Sequence, residues 1–154
     1  MTDYTEIDVF GVMVRYYDEE RIDKISRGKW RTIKQSNSGR GYKRIRIVGS
    51  KNVRVHRLVY KAHNLSWDIT DTSKNNYIDH KDRCRSNNKI ENLQVATNQQ
   101  NLFNTDAKGY YFHKSTNKYQ AQITLNGKTI YLGEFVNEAD AREAYLNAKA
   151  IYHT

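Results

Sequence analysis

An acid and a histidine stand side by side at Asp79-His80, inside the stretch "YIDHKDRCRSNNKIENLQVATNQQN", Tyr77 to Asn101. A packed core has no use for such side chains, but phosphodiester hydrolysis does. A water must lose a proton near neutral pH, and histidine is the natural base there. Negative charge grows on the phosphate and on the leaving 3′-oxygen, and a divalent cation offsets it. Magnesium takes oxygen ligands and needs few of them from the protein. One carboxylate and one amide carbonyl suffice. Asp79 offers the carboxylate, and Asn101, one helical turn past Thr97, offers the amide. Asn92 stands at the entry to a second strand, where it can hydrogen-bond across the loop and fix the backbone near His80. Neighbouring strand residues point to opposite faces, so Asp79 and His80 share a site only at a strand end or bend. Taken singly, an Asp-His pair is more often a surface pair, and an Asn after a helix cap is more often solvated. Cys84, in the same polar loop, reads as a bystander. The joint spacing is what points to a site.

These residues need elements to hold them. Tyr77–His80 reads as a short strand, 81–92 as a polar loop and Leu93–Ala96 as a second strand. Thr97 is a good N-cap for a helix over Asn98 to Phe103. Upstream, "GYKRIRIVGSKNVRVHRLVY" alternates: Tyr42, Arg44 and Arg46 against Lys43, Ile45 and Ile47. Gly49-Ser50 supplies a turn before Val53 and Val55 resume. One face of this ribbon is cationic. From His56 the apolar spacing becomes helical, to about His63, and 64–76 reads as a polar loop. Downstream, Tyr119–Leu125 alternates again, and Asn126-Gly127 is a strong hairpin signal. Asn137 begins a helix with a stripe of Ala141, Ala144, Tyr145, Ala148, Ile151 and Tyr152. The free sheet face would show Gln120, Gln122, Thr124, Thr129 and Tyr131.

The chain has 154 residues, 38% of them apolar, with 12 Tyr, no Pro and a single Cys. One cysteine excludes a disulfide framework and a structural zinc site built on several thiolates. No apolar run is long enough to span a membrane, and the N-terminus lacks the form of a signal peptide. The expectation is a soluble cytoplasmic protein. Net charge is +9, and from Lys24 to Trp67 there are thirteen Lys and Arg and no Asp or Glu. Such a field attracts a polyanion. A solvated basic face is the bland alternative. An anionic membrane surface fits less well, because the segment lacks an amphipathic helical pattern.

The spacing Asp79-His80, Asn92-Leu93, Asn101 resembles the HNH nuclease motif, in the form found in phage and intron-encoded homing endonucleases where asparagine replaces the last histidine. "GYKRIRI…VRVHRLVYKAHN" is similar to the segment preceding that motif. The resemblance implies a strand–strand–helix metal fold with His80 as general base and Asn92 orienting it. Asp79 and Asn101 become the ligands of one Mg²⁺ or Mn²⁺. It also places His56 and Arg57 near the site, on phosphate; a packing histidine at a helix start is the other reading of His56. The "HKDRCRSNN" loop departs from the family, where a glycine-containing turn is usual.

Residues 108–152, through "GYYFHKSTNKYQAQI", "GKTIYLGEF" and "NEADAREAYLNAKAIYH", resemble the DNA-binding domain of plant ethylene-response transcription factors. Those domains read the major groove with the exposed face of a three-stranded sheet. A small packing module is the alternative. The expected architecture is α+β, with an HNH domain and its basic β-rich segment over 1–106. A three-stranded antiparallel sheet plus one helix follows over 107–154. The expected activity is site-recognising hydrolysis of double-stranded DNA by a monomer or weak dimer, phage-encoded and acting in a bacterial host. Phosphate contacts are expected from Arg40, Lys43, Arg44, Arg46, Lys114 and Lys128. Base or groove contacts are expected from Tyr119, Gln120, Gln122, Thr124 and Tyr131. Two alternatives stay open: a DNA-binding regulator with an inactive nuclease centre, and a nuclease without sequence preference. Residues 1–24, with the acidic run Asp18-Glu19-Glu20, carry no signal of their own.

Overall fold

Alternation of apolar and polar residues builds most of this protein, because each short strand buries only one face. The computed structural model describes residues 3–73 and 75–152. They form a mixed α+β protein of several small antiparallel sheets and three helices. The chain divides into two units, Met1–Thr97 and Asn98–Thr154, each with its own core.

The first unit opens with a four-stranded meander: β1 (Thr5–Val9), β2 (Val12–Tyr16), β3 (Ile22–Ser26) and β4 (Lys29–Thr32). Val9, Val14 and Ile22 are fully buried on one face. Thus the uninformative N-terminal stretch supplies core. Its acidic run forms the β2–β3 turn, where the Asp18 carboxylate accepts the amides of Glu20 and Arg21 at 2.8 and 2.6 Å. A second sheet follows: β5 (Ser36–Asn37), β6 (Lys43–Val48) and β7 (Lys51–Arg54). The alternation holds here, with Ile45, Ile47 and Val53 buried and Arg44, Arg46 and Arg54 exposed.

Helix α1 (Val55–His63) buries Val55, His56, Leu58, Val59 and Ala62. The loop after it is polar in composition but tied down. Arg57 donates to the carbonyls of Asn76, Ile69 and Asp71 at 3.1, 2.9 and 2.8 Å, and lies over the Trp67 ring. The strand pair β8 (Tyr77–His80) and β9 (Leu93–Ala96) closes this unit, with His80 opposite Leu93 and Ile78 and Leu93 in the core.

The second unit starts with helix α2 (Asn98–Phe103), directly after Thr97. Strands β10 (Tyr110–His113), β11 (Lys118–Leu125) and β12 (Lys128–Phe135) form an antiparallel sheet packed against helix α3 (Glu138–Tyr152). Asn137 caps α3: its Oδ1 accepts the Asp140 amide at 2.9 Å and its Nδ2 donates back to the Asp140 carboxylate at 2.8 Å. Ala141, Tyr145 and Ala148 are buried, as their spacing predicts, whereas Ile151 and Tyr152 are exposed. Gly109 has φ +76°, in the left-handed region that glycine favours, and a Cβ there would stand 1.9 Å from the Tyr145 ring. No other residue fits that position. Gln99 fastens α2 to the sheet, accepting the Asn126 amide at 2.9 Å and donating to the Thr124 carbonyl at 3.2 Å. Among the described residues no helix is long and apolar enough to cross a membrane.

Candidate functional site

Strand β8 ends at His80, and the chain turns there into the polar loop. Asp79 and His80 are 8% and 3% exposed. The Asp79 carboxylate accepts the His80 amide at 2.9 Å. Beside the imidazole lies a residue not singled out in the sequence: Asn88, 4% exposed, whose Oδ1 is 3.1 Å from His80 Nε2. With the amide oxygen as acceptor, Nε2 is the donor of this bond.

Asn92 holds the loop rather than the imidazole. Its Oδ1 accepts the Asp82 amide at 3.0 Å, and its Nδ2 donates to Asp82 Oδ1 and to the Asn87 carbonyl at 2.9 and 2.8 Å. Its own carbonyl accepts the Lys81 amide at 2.9 Å. Asp82 also receives Asn87 Nδ2 and the Cys84 amide. These donors, Asn87 first, hold the Asp82 carboxyl below the usual range. The loop is therefore rigid polar scaffolding on both sides of His80. Where the family resemblance leads one to expect glycine, Arg83 takes φ +64°, a left-handed conformation that costs a side-chain-bearing residue energy. Cys84 is exposed, and its contact with Ser86 lowers the thiol from its ordinary value.

Helix α1 delivers His56 to the same place. Its ring meets His80 edge-on, with centroids 4.9 Å apart, and Tyr42 lies 5.3 Å from His56 and 6.0 Å from His80. His56 is 3% exposed, and its Nδ1 has no partner among the described residues. Burial, reinforced by His80, Arg54 and Arg57, pushes its pKa down to about 3. It is a neutral ring near neutral pH. Arg57, next to it, is committed to the carbonyls of the 69–76 loop and is not presented to a ligand.

The cations around this cluster are more informative than the total charge. Arg54 and Arg85 both stack on Tyr42, at 4.5 and 5.2 Å from the ring centroid. Arg54 stands directly opposite Arg44 across the β6–β7 ladder, on the exposed face that also carries Arg46. Like charges facing each other across a sheet are destabilising, so this face gains from an anion. Lys43 is half-buried on the other face of β6, with Ile45 and Ile47, near the acidic 18–20 turn, and does not join this cationic face. Arg40 sits in the β5–β6 loop, with its carbonyl accepting from Arg85 at 3.2 Å. The sequence pattern marked Arg40, Arg44 and Arg46. It missed Arg54 and Arg85, although Arg54 continues the same alternation.

No family model, curated protein or solved structure matches the chain. The reading of the site therefore rests on its residues and on their geometry.

In the second unit, Gln120, Gln122, Thr124 and Tyr131 share the sheet face opposite α3, with Gln122 paired to Tyr131 and Thr124 to Thr129. Tyr119 lies on the other face with the buried Ala121 and Ile123, its ring against Phe112 and Tyr110. Register parity separates it from the four polar residues. Lys114 is exposed in the β10–β11 turn, and Lys128 is exposed at the start of β12. Asn101 is half-buried on α2. Among the described residues, no three His, Cys, Asp or Glu side chains gather where they could hold a metal ion. A magnesium ion taking one carboxylate and one amide needs no such cluster.

Proposed function

We propose that this chain is a metal-dependent DNA endonuclease of the HNH type, with the β8–β9 pair as the scaffold of its centre. The observation that carries this reading is the seating of His80. A histidine at a strand end follows a buried aspartate, is held at Nε2 by a buried asparagine, and is flanked by a loop pinned through Asn92. Such a ring, fixed in orientation and tautomer, is what a general base requires.

In this mechanism His80 removes the proton of the attacking water. Asn88 holds the ring and stabilises the imidazolium that results, by accepting Nε2–H. Asp79 would hold one Mg²⁺ or Mn²⁺, and the resemblance assigns Asn101, of the second unit, as its other ligand. That ion would supply charge compensation at the phosphate and the leaving 3′-oxygen. Both donors are oxygens, which suits these ions better than zinc. Arg54 and Arg85, braced on Tyr42, meet the phosphate backbone beside the base, and Arg44 and Arg46 extend that contact along β6. The open face of the second unit's sheet supplies site preference from the major groove.

The test is incubation with supercoiled plasmid and Mg²⁺, with and without chelator. Nicked or linear product that disappears on chelation supports the reading. Tight binding without any cutting makes the protein a regulator with an inactive centre. One active site per chain predicts nicked circles before linear product.

A further inference from the structure

We propose that Glu134, and not Gln120, is the base-reading group of the open sheet face, and that it accepts a hydrogen bond from the exocyclic amino group of a cytosine in the major groove. This rests on the reading of that face as a DNA surface, and it corrects which side chain does the reading.

Gln120 looks like a natural reader, but both ends of its amide are already used. Nε2 donates to Glu134 Oε1 at 2.6 Å, and the carbonyl oxygen accepts the Tyr111 hydroxyl. Thr116 Oγ1 donates to the same carboxylate oxygen at 3.3 Å. Glu134 Oε2 has no partner among the described residues. Gln120 and Glu134 are cross-strand partners, so the amide braces the carboxylate from the adjacent strand. The same donation outweighs burial, which acts the other way, and with Thr116 holds the Glu134 carboxyl below its ordinary value. The group is charged at neutral pH and can only accept.

An oriented carboxylate on a DNA surface is repelled by phosphate, so it serves only where a base offers a donor. In the major groove those donors are cytosine N4 and adenine N6. The adenine amine stands beside N7, a second acceptor that faces the carboxylate unfavourably. The cytosine amine stands beside C5–H, which offers no lone pair, so cytosine is preferred. Gln122 is exposed, has no side-chain partner among the described residues, and lies two residues along β11 on the same face. Its free amide reads a different base pair.

The experiment selects bound duplexes from a randomised library, with the full-length chain and chelator present so that nothing is cut. Wild type, Glu134→Gln, Glu134→Ala and Gln122→Ala are compared, with thermal melts showing that each is folded. Wild type is expected to enrich cytosine at one position. Glu134→Ala should flatten that position by about tenfold, and Glu134→Gln should move it towards adenine, which an amide reads through N6 and N7. Affinity for a scrambled duplex should hold or rise, because a negative charge is removed. If both Glu134 variants keep the wild-type preference while Gln122→Ala relaxes one position, the sheet reads DNA but this assignment is wrong. If no variant changes any position, the sheet is not a reader and the underlying reading fails as well. A uniform loss of affinity in both Glu134 variants, on every duplex, makes Glu134 a structural brace and overturns the proposal.

Discussion

Asn88 and His80 form the pair on which the proposed chemistry turns. His80→Ala should slow cleavage at least about a hundredfold while DNA binding persists, because only the proton transfer is removed. Asn88→Ala should slow it by roughly tenfold, with KM unchanged, as expected for a group that orients another. Single-turnover rates beside binding curves separate the two effects; near-normal cutting by His80→Ala, in a preparation free of contaminating nuclease, removes the base from the mechanism. His56 gives a different signal. Its folded pKa of about 3 lies below the unfolded value near 6.5, so the unfolded chain binds the extra proton between these limits. Stability therefore falls as pH drops through that window, at a slope approaching 1.4 kcal/mol per pH unit for this one group. Denaturant melts from pH 7 to pH 4 should show a shallower decline for His56→Phe than for wild type. Equal slopes would mean the ring is not buried neutral. Asn88 was not legible in the sequence, since one amide among several in "RSNNKIEN" carries no periodicity. Asp79, His80 and Asn92 were legible only through their mutual spacing.

The β6–β7 ladder carries a charge repulsion that a bound anion would relieve. Arg44 faces Arg54 across the strands, an arrangement unfavourable in the free protein. If phosphate bridges them, Arg44→Ala and Arg54→Ala should each lower the slope of log affinity against log salt by roughly one, with the preferred sequence unchanged. Arg57→Ala should leave the slope alone and instead loosen the 64–76 loop, because its guanidinium serves three carbonyls. Salt titrations on cognate and scrambled duplexes decide this, and unchanged slopes for Arg44 and Arg54 would return the charge run to solvent. Most strands and all three helices were readable from alternation, helical spacing and turn residues, because each of these elements buries one face. The N-terminal meander was harder to read. Two of its turns, Phe10-Gly11 and Arg27-Gly28, place a non-glycine residue at positive φ, without the Asn that marks the Asn126-Gly127 turn.

At the level of the whole chain, Asp79 and Asn101, the two ligands that the family resemblance implies, belong to units with separate cores. Residues 1–97 retain the first core, with Asp79, His80 and Asn88, but lose Asn101 along with α2. That fragment should melt cooperatively and still bind DNA through the β6–β7 face, yet cut nothing at any Mg²⁺ concentration. Circular dichroism melts and plasmid assays on the same preparation test both statements, and cleavage by the fragment would dismiss Asn101 as a ligand. Ending the chain after Thr105 instead would strand Phe103, which packs with Ile123, Tyr145 and Ala148, outside any core. The position of that seam was not legible, because α2 continues the spacing of one motif while packing with another sheet. One further consequence follows from the loop between His80 and Asn92. Its Cys84 is the sole thiol of the chain, exposed and biased towards thiolate. A maleimide dye therefore labels this protein at one defined point without any engineered cysteine, a few residues from the proposed base. Its fluorescence would give a real-time record of DNA docking, in the wild-type sequence, separately from any bond being broken.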